Sequence, residues 1–411
     1  LNNKNKQPVS SDSSPSSDSP QALVDVLVLD GETLHALRVV RSLSFNPRWR
    51  IHVLGRVGKR RLKPPIARSV HITAFHNLAR RKKEGEEFIK RLLAVVERTG
   101  AKIIMPLRET TTLALIEHRA VLEPVARITP LPTAEAFTTA TDKFLLARFM
   151  AAQGIPHPQT WDVSEAGSDS LRFPLLVKPR KRGGGNGIVK VGCRRELARV
   201  LASPGEDALY LQEFVEGADF GCSVLMEEGR LQAWTVQRGR DRPKPYAPFS
   251  ILQMKAHAKV LASTTALMTA LGWSGVAHID LRMDRRTGQP LILEINGRYW
   301  GSLMASLMTG VNFPDLACRI TLGEAVLPPA PAEIRFSRWT QWLGDAMRLR
   351  PRAFRSQATD LRFFLNDPMP DVIIWRRMAL QWLQSLARAP EASRKRQSGR
   401  PAGPGPAMIV T

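Results

Sequence analysis

Long apolar runs are missing from this sequence. No stretch approaches the roughly 20 residues that carry a helix across a bilayer, so a helical membrane span is excluded and a soluble, cytoplasmic protein is expected. Cysteine is scarce: Cys193, Cys222 and Cys318 form no C-x-x-C pair. They are too few for a disulfide framework, argue against structural zinc and suit a reducing compartment. Acidic residues are in deficit, 37 Asp plus Glu against 60 Lys plus Arg, giving a net charge of +23. That balance calls for anionic partners such as nucleotides, phosphorylated metabolites, nucleic acid or acidic lipid. A zinc module, an RNP signature and an aromatic stacking platform are all absent, so specific nucleic-acid binding is not expected. Neither G-x-G-x-x-G after the first strand nor the G-x-x-x-x-G-K-[ST] phosphate loop occurs, which removes support for the common dinucleotide and P-loop sites.

What is present is a globular chain, 43% hydrophobic over 411 residues, long enough for two or three domains. Residues 1–21 are polar and Ser/Pro-rich, and read as a disordered tail with no signal-peptide core. The chain begins with Leu, so a true start upstream is expected. From Ala22 to about residue 135, apolar runs such as ALVDVLVLD, RIHVLGR and AKIIMPL alternate with amphipathic stretches. This predicts a small α/β domain on a parallel sheet. Residues 331–390, rich in Trp and Arg, read as a helical extension, and 391–411 as a basic, Pro/Gly-rich disordered tail. In the extension, DVIIWRRMALQWLQSLARA has apolar residues at helical spacing with basic ones between. It is expected to dock on the catalytic core, with contact to an anionic membrane surface as the alternative.

The chemistry lies between. An amphipathic helix opens near Thr141 or Asp142, with Lys143 in its first turn, where a lysine opposes the helix dipole. FPLLVKPRKRGGGNGIVKV reads strand, loop, strand. Gly183, Gly184, Gly185 and Gly187, with Asn186 among them, make a loop whose backbone N–H groups can cradle phosphate oxygens. A plain hairpin would also account for the glycines, but Lys178, Arg180, Lys181 and Arg182 favour a polyanion. Farther on, extended backbone at Gln212, Glu213, Phe214 and Val215 can meet a purine edge. Asp219 can accept from ribose hydroxyls, or be an ordinary surface carboxylate. SILQMKAHAKVLASTTALMTALG reads as a helix throughout.

In PLILEINGRYWGSL, Glu294 and Asn296 stand two apart on a strand and share a face. The preceding strand carries Asp280, and DRRTGQP turns between the two, which can bring all three together. Two carboxylates and an amide oxygen make a hard oxygen site suited to Mg2+. His278 shares the Asp280 face if the strand is regular. It is either a substrate contact or a satisfied structural histidine.

These residues carry a resemblance. The chain is similar to ATP-grasp proteins, in particular the carboxylate-amine ligase group, over about Thr141 to Gly323. Its E-x-N-x-R element falls on Glu294, Asn296 and Arg298, and the glycine loop and QEFVEG agree in order and spacing. The resemblance implies a preliminary α/β domain followed by an ATP-grasp fold of two α+β subdomains over 136–330, a small lid at about 141–213 and a larger subdomain at about 214–330. It implies that Lys143, Lys178 and the loop Gly183–Gly187 hold ATP phosphates, that Gln212, Glu213, Phe214 and Val215 hold adenine, and that Asp219 holds ribose. Asp280, Glu294 and Asn296 would take Mg2+, with Mn2+ as a substitute. Arg298 would face the transferred phosphoryl group, with Lys178 beside it in catalysis. Where the nearest relatives carry Glu, this chain has the shorter Asp280. The implied activity is ATP-dependent activation of a carboxylate as an acyl-phosphate, followed by capture by an amine. The alternatives are a kinase on the same fold and an ATP-binding protein without turnover. Arg238 and Arg240, with Arg242 and Lys244, are the expected clamp for the carboxylate substrate, or else a solvated loop. The identity of both substrates and the oligomeric state are left open.

Overall fold

The computed structural model describes residues 22–57, 62–78, 85–203, 205, 207–240, 249, 251–327, 329–349 and 358–397, with side chains described as far as 384. The expected terminal tail 1–21, most of the expected tail 391–411, and Arg242 and Lys244 lie outside these residues.

Among the described residues three sheets form. The first holds β1 (Val24–Val28), β2 (Trp49–Gly55), β3 (Ala74–Asn77), β4 (Ile103–Met105) and β5 (Arg127–Ile128), all parallel, in the order β3-β2-β1-β4-β5. Strands buried on both faces read as continuous apolar runs. Val26 and Val28 accordingly enter one core with the Leu34–Leu43 helix, while Leu27 and Leu29 enter another with the Glu86–Thr99 helix. The first core also takes in Tyr299, Trp300 and Phe313, so this domain is packed onto the segment that follows the E-x-N-x-R strand.

The second sheet contains β6 (Thr160–Asp162), β7 (Leu175–Pro179), β8 (Val189–Val191) and β9 (Leu209–Glu213), ordered β6-β9-β7-β8 and antiparallel at each pairing. It has its own small core of Trp161, Leu171, Leu175, Val177, Val191, Leu197 and Leu211. This unit thus packs around a core of its own.

The third sheet holds β10 (Gly217–Glu227), β11 (Arg230–Arg240), β12 (Ile251–Met254), β13 (Gly275–Asp284), β14 (Pro290–Asn296), β15 (Ile334–Ser337) and β16 (Ala358–Thr359), ordered β14-β13-β10-β11-β12-β15-β16. Three expectations are corrected here. Residues 251–254 are a strand, and the helix begins only at Ala258. β12 pairs with β11, and that ladder outweighs the helical reading of the apolar spacing. The extension is not purely helical, because β15 and β16 continue the sheet beyond β12. Added strands cover an edge that would otherwise expose unpaired N–H and C=O groups. Finally, the last helix runs over Pro368–Gln397, past the expected boundary at 390.

Near Asp367 the extension docks on the parallel-sheet domain rather than on the catalytic core as expected. Fully buried Asp367 pairs with Arg41 at 3.3 Å and accepts from Ser69 Oγ at 2.8 Å and the Val70 amide at 3.0 Å. Trp375 packs edge-on against Trp339, at 5.1 Å between ring centroids.

Candidate functional site

A cleft of about 290 Å3 lies between the lid sheet and the large sheet. Its apolar walls include Leu176, Ile188, Phe214, Leu281 and Leu293, and Lys178, Asp280 and Glu294 gather among its polar groups.

β13 and β14 set the acidic end. Their register pairs Asp280 with Glu294 and His278 with Asn296, the juxtaposition expected from the sequence. A bulge between Asp280 and Leu281 leaves Leu293 as the extra residue. Strict alternation would send Leu293 and Glu294 to opposite faces; the bulge lets both line the cleft. Asn296 Nδ2 donates to Asp280 Oδ2 at 3.1 Å, and His278 Nε2 stands 3.5 Å from Asp280 Oδ1. Burial and the Asp280 charge push the Glu294 carboxyl up, against Lys143 and Lys178. Burial also works to raise Asp280, but hydrogen bonds from His278, Glu294 and Asn296 outweigh it and hold its carboxyl down.

Two buried carboxylates set side by side, with an ammonium on one of them, are a cation site in electrostatic terms. The donor set of two carboxylates and an amide oxygen fits a hard divalent ion. Among the described residues no cluster of three or more His, Cys, Asp or Glu offers a competing site.

Asp142 organises the lysines and the loop. It caps the Lys143–Ala152 helix, accepting from the Phe144 and Leu145 amides at 3.1 and 3.2 Å. The same carboxylate receives the Arg180 guanidinium at 2.9 Å. Lys143 then projects from the first turn to Glu294 Oε2 at 3.1 Å and to the Arg182 carbonyl at 2.7 Å. Its charge spans the gap between the acidic pair and the glycine loop. Within that loop Asn186 Nδ2 donates to the Gly183 carbonyl at 3.2 Å. Gly187 has φ +78, and a Cβ there would meet Pro179 Cγ at 2.9 Å, so glycine is required on two grounds. Gly184 and Gly185 face the cleft.

Lys178 is 6% exposed and donates to Gln212 Oε1 at 2.9 Å. Burial pushes its ammonium down to about 8, with Glu294 opposing the shift. Gln212 and Glu213 belong to β9, between β6 and β7, and the Glu213 amide is spent on the Gln159 carbonyl at 2.8 Å. The strand ends there, so Phe214 and Val215 are the first residues beyond the ladder at the cleft.

Asp219 also lines the cleft, paired with Arg282 Nε at 2.7 Å. The sequence reading missed Arg282. Its signal was available: it lies two residues after Asp280 on the same face, directly across from Asp219. Gln237, also missed, lines the cleft and accepts from Ser302 Oγ at 2.6 Å.

Two other expectations shift. Arg238 and Arg240 lie on β11 rather than in a loop, and the residues of that strand lining the cleft are Gln237 and Gly239. Strand alternation sends the arginines to the other face, where Arg238 lies over the Phe220 ring at 5.6 Å and Arg240 bonds Gln253. Neither guanidinium is therefore among the groups lining the cleft, where the clamp was expected. His278 is 7% exposed, with Nδ1 at 2.8 Å from Ser223 Oγ and its ring stacked on Trp300. It stands beside Asp280 on the same face of β13, and it is not among the residues lining the cleft. Arg298 lies just beyond the acidic pair, 3.4 Å from Asn296 Oδ1 and 3.7 Å from Glu109.

A glycine loop, two lysines and an acidic pair stand around one cleft, and comparisons with solved structures place this arrangement on an ATP-grasp fold. The family described as "ATP-grasp in the biosynthetic pathway with Ter operon" matches residues 206–342. A D-alanine--D-alanine ligase of Methylibium petroleiphilum is 27% identical over 220 residues, 46% of this chain and 69% of the relative. Among solved structures, the biotin carboxylase domain of Hydrogenobacter thermophilus 2-oxoglutarate carboxylase, in complex with MgADP, superposes with a TM-score of 0.59. It is 17% identical, over 74% of this chain and 71% of that one. The L-amino acid ligase from Bacillus licheniformis gives 0.56 at 17% identity, over 74% and 76%. The chain has the ATP-grasp fold and resembles its carboxylate-amine ligase group.

Proposed function

We propose that the protein is an ATP-dependent ligase that activates a carboxylate as an acyl-phosphate and joins it to an amine. The observation that carries this reading is the opposed pair Asp280 and Glu294, with Lys143 on Glu294 and Lys178 beside it, at one end of a cleft with apolar walls. Asp280, Glu294 and Asn296 would hold Mg2+, which supplies charge neutralisation on the phosphate oxygens. Lys143, Lys178 and the glycine-loop amides bind the phosphates and reduce the repulsion between ATP and an incoming carboxylate. Phe214 and Val215 take the adenine edge, and Asp219 with Arg282 the ribose.

In the first step a carboxylate oxygen forms a bond to the γ-phosphorus, and the bond to the bridging oxygen breaks with its electron pair leaving on ADP. Arg298, beside Asn296, faces the transferred group. In the second step the amine forms a C–N bond at the acyl carbon, phosphate leaves with the C–O electron pair, and one proton is released. An acyl-phosphate hydrolyses in water, so the loop 183–187 must close over it.

The test is release of ADP and free phosphate from Mg-ATP with pooled carboxylates and amines. Equal, substrate-dependent release of both is expected, and ADP with a stable phosphorylated product would indicate a kinase instead. Glu294→Gln should lower turnover by about a hundredfold or more with the fold intact. Full activity of that variant would overturn the assignment.

A further inference from the structure

The Pro368–Gln397 helix is held to the rest of the molecule through its first turns. Asp371 meets Arg41, Trp375 packs in a triad with Trp339 and Phe364, and Arg377 donates to the Lys63 carbonyl at 2.9 Å. A surface helix docked in this way turns its apolar side inward and its polar side to water. This one is apolar on the outside as well. Met369, Val372, Arg376, Leu380 and Leu383 are all exposed, and their spacing of three or four residues sets them in one stripe, about 20 Å long, on the outer face. Its four apolar members are 42% to 54% exposed. The two helices joined to this one by the aromatic triad leave Leu343, Met347 and Leu365 exposed in addition.

Charge selects the occupant of this face. Between residues 338 and 384 the exposed charged side chains, among the described residues, are Arg338, Arg348, Arg362 and Arg376. The acids of the same segment are withdrawn: Asp345 and Asp367 are buried, Asp360 accepts from the Trp339 amide, and Asp371 is held by Arg41. The sequence of the last part of the helix adds Arg388, Arg394, Lys395 and Arg396 against Glu391. A second copy docking on this face would set arginine against arginine. A nucleic acid would answer the arginines and leave the leucines in water. An anionic lipid surface answers both, because an interfacial helix sinks its apolar side chains to the acyl boundary while its guanidiniums stay among the headgroup phosphates. No helix among the described residues is long and apolar enough to cross a membrane, so contact of this kind runs along the surface.

We propose that the outer face of the Pro368–Gln397 helix docks on an anionic lipid surface, with Met369, Val372, Leu380 and Leu383 at the acyl boundary and Arg376 and Arg348 on headgroup phosphates. The proposal concerns where the protein sits and does not depend on the ligase reading, which concerns what the cleft does.

The experiment is co-sedimentation of the full chain with vesicles, pure phosphatidylcholine against a mixture containing about one third phosphatidylglycerol. Binding to the anionic vesicles should be at least about tenfold tighter, and should weaken as salt is raised from about 0.1 M to about 0.5 M. Leu380→Gln with Leu383→Gln keeps the charge and the helix propensity and removes apolar surface, and should weaken binding about tenfold or more. Arg348→Ala with Arg376→Ala should weaken it about tenfold as well. All four side chains are exposed, and an unaltered thermal midpoint verifies that each variant is folded. No binding, or equal binding to both kinds of vesicle, would overturn the proposal. So would an anionic preference unchanged by the paired glutamines, which would mean general attraction of a chain of net charge +23. Concentration-dependent dimerisation that the paired glutamines abolish, without lipid binding, would assign the stripe to a second copy and overturn it too.

Discussion

Lys178 shows how one residue ties burial to function. It stands on a buried strand because its stem fills space beside Tyr210, while its ammonium, 5.7 Å from that ring, meets Gln212. The protonated form is the one that attracts phosphate. Below pH 8 the free protein already carries that proton, so affinity for Mg-ATP should be nearly flat. Above pH 8 binding must take up a proton, and affinity should fall by up to about tenfold per pH unit. Lys178→Met should weaken binding by about tenfold or more at neutral pH and remove this dependence. Nucleotide titrations from pH 7 to 9.5 measure both; an unchanged slope in the variant would assign the titration elsewhere.

At the scale of the element, the Lys143–Ala152 helix is tied to the glycine loop through its own cap. Asp142 accepts two helix amides and the Arg180 guanidinium with one carboxylate. Burial tends to raise that carboxyl, but Arg180 and the amides hold it below the usual range. Asp142→Ala should cost about 1–2 kcal/mol from the cap alone, read as a lowered thermal midpoint. It should also raise the KM for ATP, because Lys143 and the loop lose their common anchor. A variant with the lower midpoint and an unaltered KM would show the cap to be structural only. β10 makes a similar point about close approach. A Cβ at Gly221 would come within 2.7 Å of the His278 ring and 2.9 Å of Gln237, so Gly221→Val should push His278 off Asp280 and reduce turnover, checked by steady-state ADP release.

For the whole molecule, the extension holds the parallel-sheet domain and the large sheet together. Asp367 is fully buried against Arg41, Ser69 and Val70. Removing one partner of such a pair leaves an uncompensated buried charge, so Asp367→Ala should destabilise the protein by about 3–5 kcal/mol. Chemical denaturation measures the loss, and limited proteolysis should show earlier cleavage in the Pro368–Gln397 helix. The outer part of that helix leaves Met378, Leu380, Trp382 and Leu383 exposed. No helix among the described residues is long and apolar enough to cross a membrane.

The gathering of the acidic groups was legible in the sequence because it depends on local order. Side-chain alternation along two strands joined by a short turn is enough to bring Asp280, Glu294 and Asn296 together, and apolar runs alternating with amphipathic stretches are enough to indicate the parallel sheet. Other features depend on partners distant in the chain, which local pattern does not encode. Whether Arg238 or Gln237 faces the cleft is decided by which face of β11 the core covers. The partnership of Asp219 with Arg282 is decided by the β10–β13 register. That the extension adds strands rather than only helices is decided by the edge of β12. The sequence thus determined which acidic groups gather, through periodicity along the chain; the tertiary structure decided which of the remaining charges meet, because burial and register act between segments far apart in the chain.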